Sequence, residues 1–232
     1  MRSPAEVDWN AVEQSMWDRG YARLGPLLST HECERLTNLY PQDELFRSRI
    51  DMRRFRFGEG DYKYFARPLP ELIETLRSET FGPLSAVANR WMEASGNDLR
   101  YPEKLEQFLE QCHQAGQTKP TALLLHYESG GYNCLHQDLY GDIAFPFQIV
   151  CFLSQAGRDY TGGEFLLVEQ RPRAQSLGHA IHADQGEALL FTTRYRPVKG
   201  ARGYYRANVK HGVSPVLTGT RYTLGIIFHD AK

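Results

Sequence analysis

Apolar positions along the chain change their period near residue 120. Before it the spacing is helical: Val7, Trp9, Val12, Met16 and Trp17 recur on one face over residues 6–19 until Gly20 ends the run. Residues 21–24 read as a short strand, and Ser29 with Glu32 has capping-box spacing that opens a helix through Cys33, Leu36 and Leu39. Residues 70–95 are expected to be helical with an interruption near Gly82-Pro83, keeping Leu84, Val87, Ala88 and Trp91 on one stripe. Leu105, Phe108, Leu109 and Cys112 repeat that stripe in a helix that Pro102 can begin. Stripes of this kind pack against a sheet.

From residue 121 the pattern turns to short β-rich runs between turn residues, at 122–127, 147–153, 164–169, 178–182, 188–192, 209–213 and 222–228. Short strands at such close spacing predict a sandwich or jelly roll. No repeat, low-complexity segment or linker divides the chain. The expectation is one domain over 1–232, mainly β with α support, in which a mainly helical region (1–120) backs a β core (121–230), with a soft boundary at Lys119-Pro120.

Composition refines this picture in three ways. With 232 residues, 41% hydrophobic and 12% aromatic, the chain can bury a substantial core. A net charge of −1 gives no global sign of a polyanionic partner, so any such partner must be sought in local charge. Cys33, Cys112, Cys134 and Cys151 show neither CxxC pairing nor a disulfide framework, and the amino terminus lacks an apolar leader, which points to a reducing cytoplasm. No apolar run approaches the ~18 residues of a membrane span.

The chemistry gathers at Leu135-His136-Gln137-Asp138. In extended chain, residues two apart face the same side, so His136 and Asp138 can reach one point. An imidazole and a carboxylate converging there suit Fe(II), and a third ligand would complete a facial triad with open positions. His211, in the strand-like run 209–213, offers it, and Arg221 follows ten residues later. An isolated HxD more often caps a turn; the ordered set with a distant His and Arg reverses that reading. Rival histidines stand at His126, His179, His182 and His229, and the His179/His182 spacing would place its two rings on opposite faces of a strand. Arg221 has a reason to be arginine, since its planar fork grips a carboxylate with two parallel hydrogen bonds, and Tyr127 and Thr223 can add neutral donors. Gly162-Gly163 reads as a turn.

This set resembles the signature of the Fe(II)/2-oxoglutarate-dependent dioxygenases. The resemblance implies a double-stranded β-helix with helices packed outside it, His136, Asp138 and His211 as iron ligands, and Arg221 as the partner of the distal carboxylate of 2-oxoglutarate, as in the prolyl 4-hydroxylase-like branch. Thr223 matches the hydroxyl of an Arg-x-Ser/Thr pattern, and Tyr127 has the spacing of the cosubstrate-binding tyrosine in AlkB-type nucleic-acid dealkylases. Residues 161–165, 169–173 and 225–230 are similar to a bacterial family described as oxygenases acting on damaged DNA. The implied cofactor is Fe(II), with 2-oxoglutarate and O2 as cosubstrates.

Two stretches bear on the substrate. Residues 194–210 carry Arg194, Arg196, Lys199, Arg202, Arg206 and Lys210 without an acid, interleaved with Tyr195, Tyr204 and Tyr205. Residues 46–67 hold Arg47, Arg49, Arg53, Arg54, Arg56, Lys63 and Arg67 among Phe55, Phe57, Tyr62, Tyr64 and Phe65. Cations that follow phosphates and rings that stack on bases make Arg53, Arg54, Arg202 and Arg206 candidates for contact with alkylated single-stranded nucleic acid. A solvated basic face explains the same run. Three functions stay open: oxidative dealkylation of nucleic acid; hydroxylation of a peptidyl proline, amino acid or other small molecule; and a non-catalytic metal-binding β-barrel.

Overall fold

A computed structural model describes residues 3–138 and 141–232. Its helices are α1 (Trp9–Arg19), α2 (Thr30–Thr37), α3 (Glu71–Ala94) and α4 (Leu105–Gln114). Its strands are β1 (Tyr21–Pro26), β2 (Phe46–Asp51), β3 (Gly58–Glu59), β4 (Asp61–Phe65), β5 (Leu123–Tyr127), β6 (Tyr132–His136), β7 (Phe147–Phe152), β8 (Tyr160–Gly162), β9 (Phe165–Gln170), β10 (Leu177–Ile181), β11 (Glu187–Thr192), β12 (Tyr195–Gly200), β13 (Gly203–Val213), β14 (Val216–Gly219) and β15 (Arg221–Ile227). Asp8 caps α1 by accepting from the Asn10 and Ala11 N–H groups, and Gly20 closes it in the left-handed conformation. The capping box of Ser29 and Glu32 opens α2 as the spacing predicts.

The strands form a major sheet ordered β1-β11-β7-β15-β5-β4-β2 and a minor one ordered β10-β9-β13-β6-β3, with β12 paired to β13 and β14 to β8. Every one of these pairings is antiparallel, and together they make the double-stranded β-helix. Strand periodicity divides the major sheet into two faces. On its outer face Leu124, Ile149, Cys151, Leu190, Leu224 and Ile226 join one core with the helical residues Ile73, Leu84, Ala88, Trp91 and Phe108. On its inner face Val150, Phe152, Leu189 and Phe191 meet Phe165, Leu167 and Val209 of the minor sheet.

The chain departs from its sequence pattern in three places. Residues 71–94 are one continuous helix with Pro83 inside it. Proline forfeits one backbone bond, and the buried stripe of Leu84, Val87, Ala88 and Trp91 holds the helix together across it. The next helix starts at Leu105 rather than at Pro102. The first 65 residues also supply sheet, with β1 at one edge and β4-β2 at the other. Charge hid the last two: Asp61 and Lys63 occupy buried positions of β4, where Tyr40 and Arg49 satisfy Asp61 and Asp43 and the Tyr40 carbonyl satisfy Lys63.

Candidate active site

The open end between the two sheets is a cavity of about 440 Å³, within the ~300–1,000 Å³ of small-molecule sites. Its floor follows from strand register. Arg221 of β15 lies opposite Tyr127 of β5, Thr223 opposite Leu125 and Phe152, and Ile227 opposite Gln148, so alternate residues of three neighbouring strands face inward. Arg221, Thr223, Tyr127, Leu125, Gln148 and Val150 all line the cavity.

The opposite wall carries the metal-type donors. His211 of β13 is the cross-strand partner of His136 on β6, and their ring centroids are 4.2 Å apart. Asp138 sits just past the end of β6, with His136 Nε2 3.5 Å and His211 Nε2 3.3 Å from its two oxygens. The donor atoms of the three lie within 4.8 Å of one another, and among the described residues they are the one His/Cys/Asp/Glu group so arranged. Gln137 donates to the carbonyls of Arg194 and Val209, which pins the segment against β13.

Electrostatics prepares these groups for a cation. Burial alone would raise the Asp138 carboxyl, but His211 and His136 beside it hold it well below the usual carboxylate range. Burial and the neighbouring His211 lower the His136 pKa against the pull of Asp138, favouring the neutral ring. His136 Nδ1–H donates to the Cys134 carbonyl at 2.7 Å, leaving Nε2 as the lone-pair donor toward the cluster. Two imidazoles and a carboxylate on one side, with the cavity on the other, fit ferrous iron with open positions.

A second cradle fits a carboxylate from outside the chain. Arg221 is 1% exposed, and its Nε, Nη1 and Nη2 have no hydrogen-bond partner among the described residues. The rings of Tyr127, Phe152 and Tyr160 stand 5.5, 5.6 and 5.8 Å from its guanidinium, and Glu164 is near enough to feel its charge without bonding it. A buried cation in such surroundings needs an anion. The Tyr127 hydroxyl, pushed up to about 12 by burial, stays protonated and can donate. Gly163, at φ +63, is where the turn passes the arginine: a Cβ there would lie 2.9 Å from Arg221 Cδ.

The basic candidates fall elsewhere. Arg53 is exposed and paired with Glu59 at 2.7 Å, and Arg54 is exposed on the same turn. Arg202 lies at the turn of the β12–β13 hairpin, and Arg206 packs its guanidinium 4.7 Å from the Tyr195 ring; none of the four lines the cavity. Arg196 is buried against Glu169. Among the rivals, His126 bonds Asp61, His179 packs edge-on against Tyr21, His182 is exposed, and His229 accepts from the Phe145 N–H. Sequence reasoning passed over Asn133 and Gln148 and placed Arg56, Phe57, Tyr62 and Tyr64 only within a basic aromatic run; all six line the cavity. The alternation of Tyr62 and Tyr64 around Lys63 was the available signal.

Solved structures share this architecture. A prolyl-4-hydroxylase of Pseudomonas putida superimposes with a TM-score of 0.55 at 14% identity, over 97% of this chain and 99% of that one. An oxidoreductase of the 2OG-Fe(II) oxygenase family from Burkholderia pseudomallei gives 0.55 at 13% identity, over 100% and 95%. A Trichoplax adhaerens prolyl hydroxylase, solved with a hypoxia inducible factor peptide, gives 0.52 at 16% identity, over 94% and 87%. These likenesses show the fold; by its family model the protein is an oxygenase, an oxidoreductase, and His136, Asp138 and His211 form a candidate metal site within it. Within that class the chain belongs to the Oxygenase-NA family, described as catalysing oxidative methylation of damaged DNA, whose model matches residues 60–231. Two Mycobacterium tuberculosis proteins, both described as uncharacterized, are each 49% identical over 167 residues, 72% of this chain and 72% of theirs. Among the described residues, no helix is long and apolar enough to cross a membrane.

Proposed function

We propose that His136, Asp138 and His211 hold ferrous iron, that Arg221 grips the distal carboxylate of 2-oxoglutarate with Tyr127 and Thr223 as neutral donors, and that the substrate is an N-alkylated base of single-stranded nucleic acid. The observation that carries the cosubstrate assignment is Arg221, a buried guanidinium with all three nitrogens unpartnered on the floor of the cavity that also holds the triad. When bound, the iron and 2-oxoglutarate supply the oxidation: one atom of O2 goes to a substrate C–H bond, the other to succinate, and CO2 leaves. The chain's own residues do the rest. The triad leaves one side open, Arg221 sets the orientation of the dicarboxylate, and the apolar floor of Leu125, Val150 and Ile227 keeps water away.

The family description supports nucleic acid as the substrate class. Hydroxylating an N–CH3 group gives N–CH2OH, which breaks its C–N bond and releases formaldehyde with the proton returned to nitrogen. This chemistry removes a methyl group from a damaged base rather than adding one.

The test is succinate release from protein reconstituted anaerobically with Fe(II) and 2-oxoglutarate and then given oxygen. Methylated single-stranded oligonucleotide should stimulate it above the unmodified oligonucleotide, proline peptides and free amino acids. His211→Ala should lose ferrous binding while keeping its fold. Full iron affinity and turnover in that variant would defeat the triad assignment, and stimulation by a peptide or amino acid alone would move the substrate to that class.

A further inference from the structure

The turn over residues 53–57 brings to the mouth of the cavity chemistry that iron and 2-oxoglutarate do not require. Phe55 and Phe57 are 49% and 47% exposed, unusual for phenylalanine, and their rings stack at 5.6 Å with 22° between planes. Phe57 and Arg56 line the cavity beside the half-exposed Leu135 of β6. Arg54 sets its guanidinium 5.8 Å from the Phe55 ring. Arg53 is neutralised by Glu59, but among the described residues Arg54 and Arg56 make no ion pair.

The turn is a built platform. Met52 is fully buried beneath it, and its carbonyl accepts from both the Phe55 and Phe57 N–H groups. The Phe57 carbonyl accepts from the Cys134 N–H at 2.8 Å, two residues from His136. Gly58, at φ +146, permits the approach to β6, since a Cβ there would meet the Tyr132 carbonyl at 2.2 Å. Arg56 holds the left-handed conformation at φ 61, which is uncommon for a residue other than glycine and turns it toward the mouth.

We infer that this turn is the gripping element for the substrate of the oxygenase, stacking an unpaired nucleobase on the Phe55–Phe57 pair while Arg54 and Arg56 take the flanking phosphates. The inference rests on the nucleic-acid reading above and deepens it. Charge complementarity selects this occupant. Two parallel rings with two unpaired cations beside them match the alternation of base and phosphate along a single strand, whereas an apolar or prolyl peptide would leave both cations without a counter-charge. The alkylated edge of the base then points down toward the triad, and the backbone stays outside.

The probe is a short single-stranded DNA carrying one N-methylated base, bound to protein loaded with Mn(II) and 2-oxoglutarate and followed by fluorescence anisotropy and salt titration. Phe55→Ala and Phe57→Ala should each weaken binding about 10-fold, in keeping with the loss of one stacking ring, and Phe57→Trp should restore it. Arg56→Asn keeps a residue that tolerates the left-handed conformation but removes the cation, and should make the log-log salt slope shallower by about 0.7. Leu217→Ala, at an exposed apolar residue outside the cavity lining, should change nothing. If the wild-type protein binds the probe and, loaded instead with Fe(II) and given oxygen, oxidises it, but the phenylalanine and Arg56 variants match it in both, the turn is not the grip, and the nucleic-acid reading survives. If the wild-type protein neither binds nor oxidises it, both fail together. Stimulation by a proline peptide whose KM rises in Phe57→Ala would assign the platform to a peptide and overturn the inference.

Discussion

Arg77 and Arg221 are both buried, and the difference between them separates structure from function. Arg77, on α3, is fully buried and donates to the carbonyls of Ile227 and Phe228, at 3.1 and 2.7 Å, and to Asp230 at 3.0 Å. Asp230 in turn accepts from Arg67 at 2.6 Å and lies 3.0 Å from His113, so residues 227–230 are tied to the helical layer, with Arg77 Nη1 alone of its guanidinium nitrogens left without a hydrogen bond. Arg196 is similar, held by Glu169 and the Trp17 carbonyl. Arg221, equally buried, has none of this. Burial of a cation is common to all three; what marks the candidate site is that the fold leaves one of them unanswered.

The largest expected effect tests that contrast directly. Arg77→Ala leaves Asp230 buried without its main counter-ion and should cost ~3–5 kcal/mol in urea unfolding. Arg221→Leu removes a charge that no hydrogen bond among the described residues answers, so its stability without cosubstrate should stay within about 1 kcal/mol of wild type or rise. Added 2-oxoglutarate with Mn(II) should stabilise the wild-type protein and not this variant. Equal destabilisation by the two substitutions would erase the distinction.

Histidine allows a second test at somewhat smaller magnitude. His229 is buried, accepts the Phe145 N–H through Nδ1, and has its pKa pushed down by burial from 6.5 to about 4. Because the folded value lies below the unfolded one, its contribution is complete above pH 6.5 and is lost as pH falls toward 4. The loss should reach roughly 2 kcal/mol at pH 5 relative to pH 7.5, read as a shift in the urea midpoint. His229→Asn, whose side-chain oxygen can accept the same N–H, should flatten that dependence. An unchanged acid limb in the variant would assign it to other groups.

Arg221→Lys sharpens the comparison further. A point charge cannot reproduce the forked contact, so the 2-oxoglutarate concentration for half-maximal succinate release should rise about 10-fold or more, roughly 1.4 kcal/mol. An unaltered requirement would remove Arg221 from the cosubstrate site. The smallest effect belongs to an exposed arginine: Arg90, 50% exposed and paired with Glu13, should cost under ~1 kcal/mol as Arg90→Ala. A larger loss there would mean that pairing, and not burial, governs these arginines.

Much of the molecule was legible before folding because periodicity and short spacings are local. The helical stripes of Leu84–Trp91 and Leu105–Cys112, the capping box at Ser29 and the β texture after residue 121 each express one element's own geometry, and each appears in the structure. The candidate ligands could be named because HxD, a later His and an Arg ten residues beyond it leave a linear trace. Other features had no such trace. Strand β4 carries buried Asp61 and Lys63, whose partners Tyr40, Asp43 and Arg49 of β2 come from elsewhere in the chain, so charge concealed the alternation. Pro83 reads as a helix breaker, and only the layer packed beneath α3 outweighs it. The basic runs are uniform in sequence, yet tertiary contacts bury Arg196, pair Arg53 and leave Arg56 at the cavity mouth. A sequence can state which residue types are present and how they repeat. Which of them find partners depends on strand pairing between distant segments, such as His211 opposite His136 across β13 and β6, and that register is a property of the folded chain.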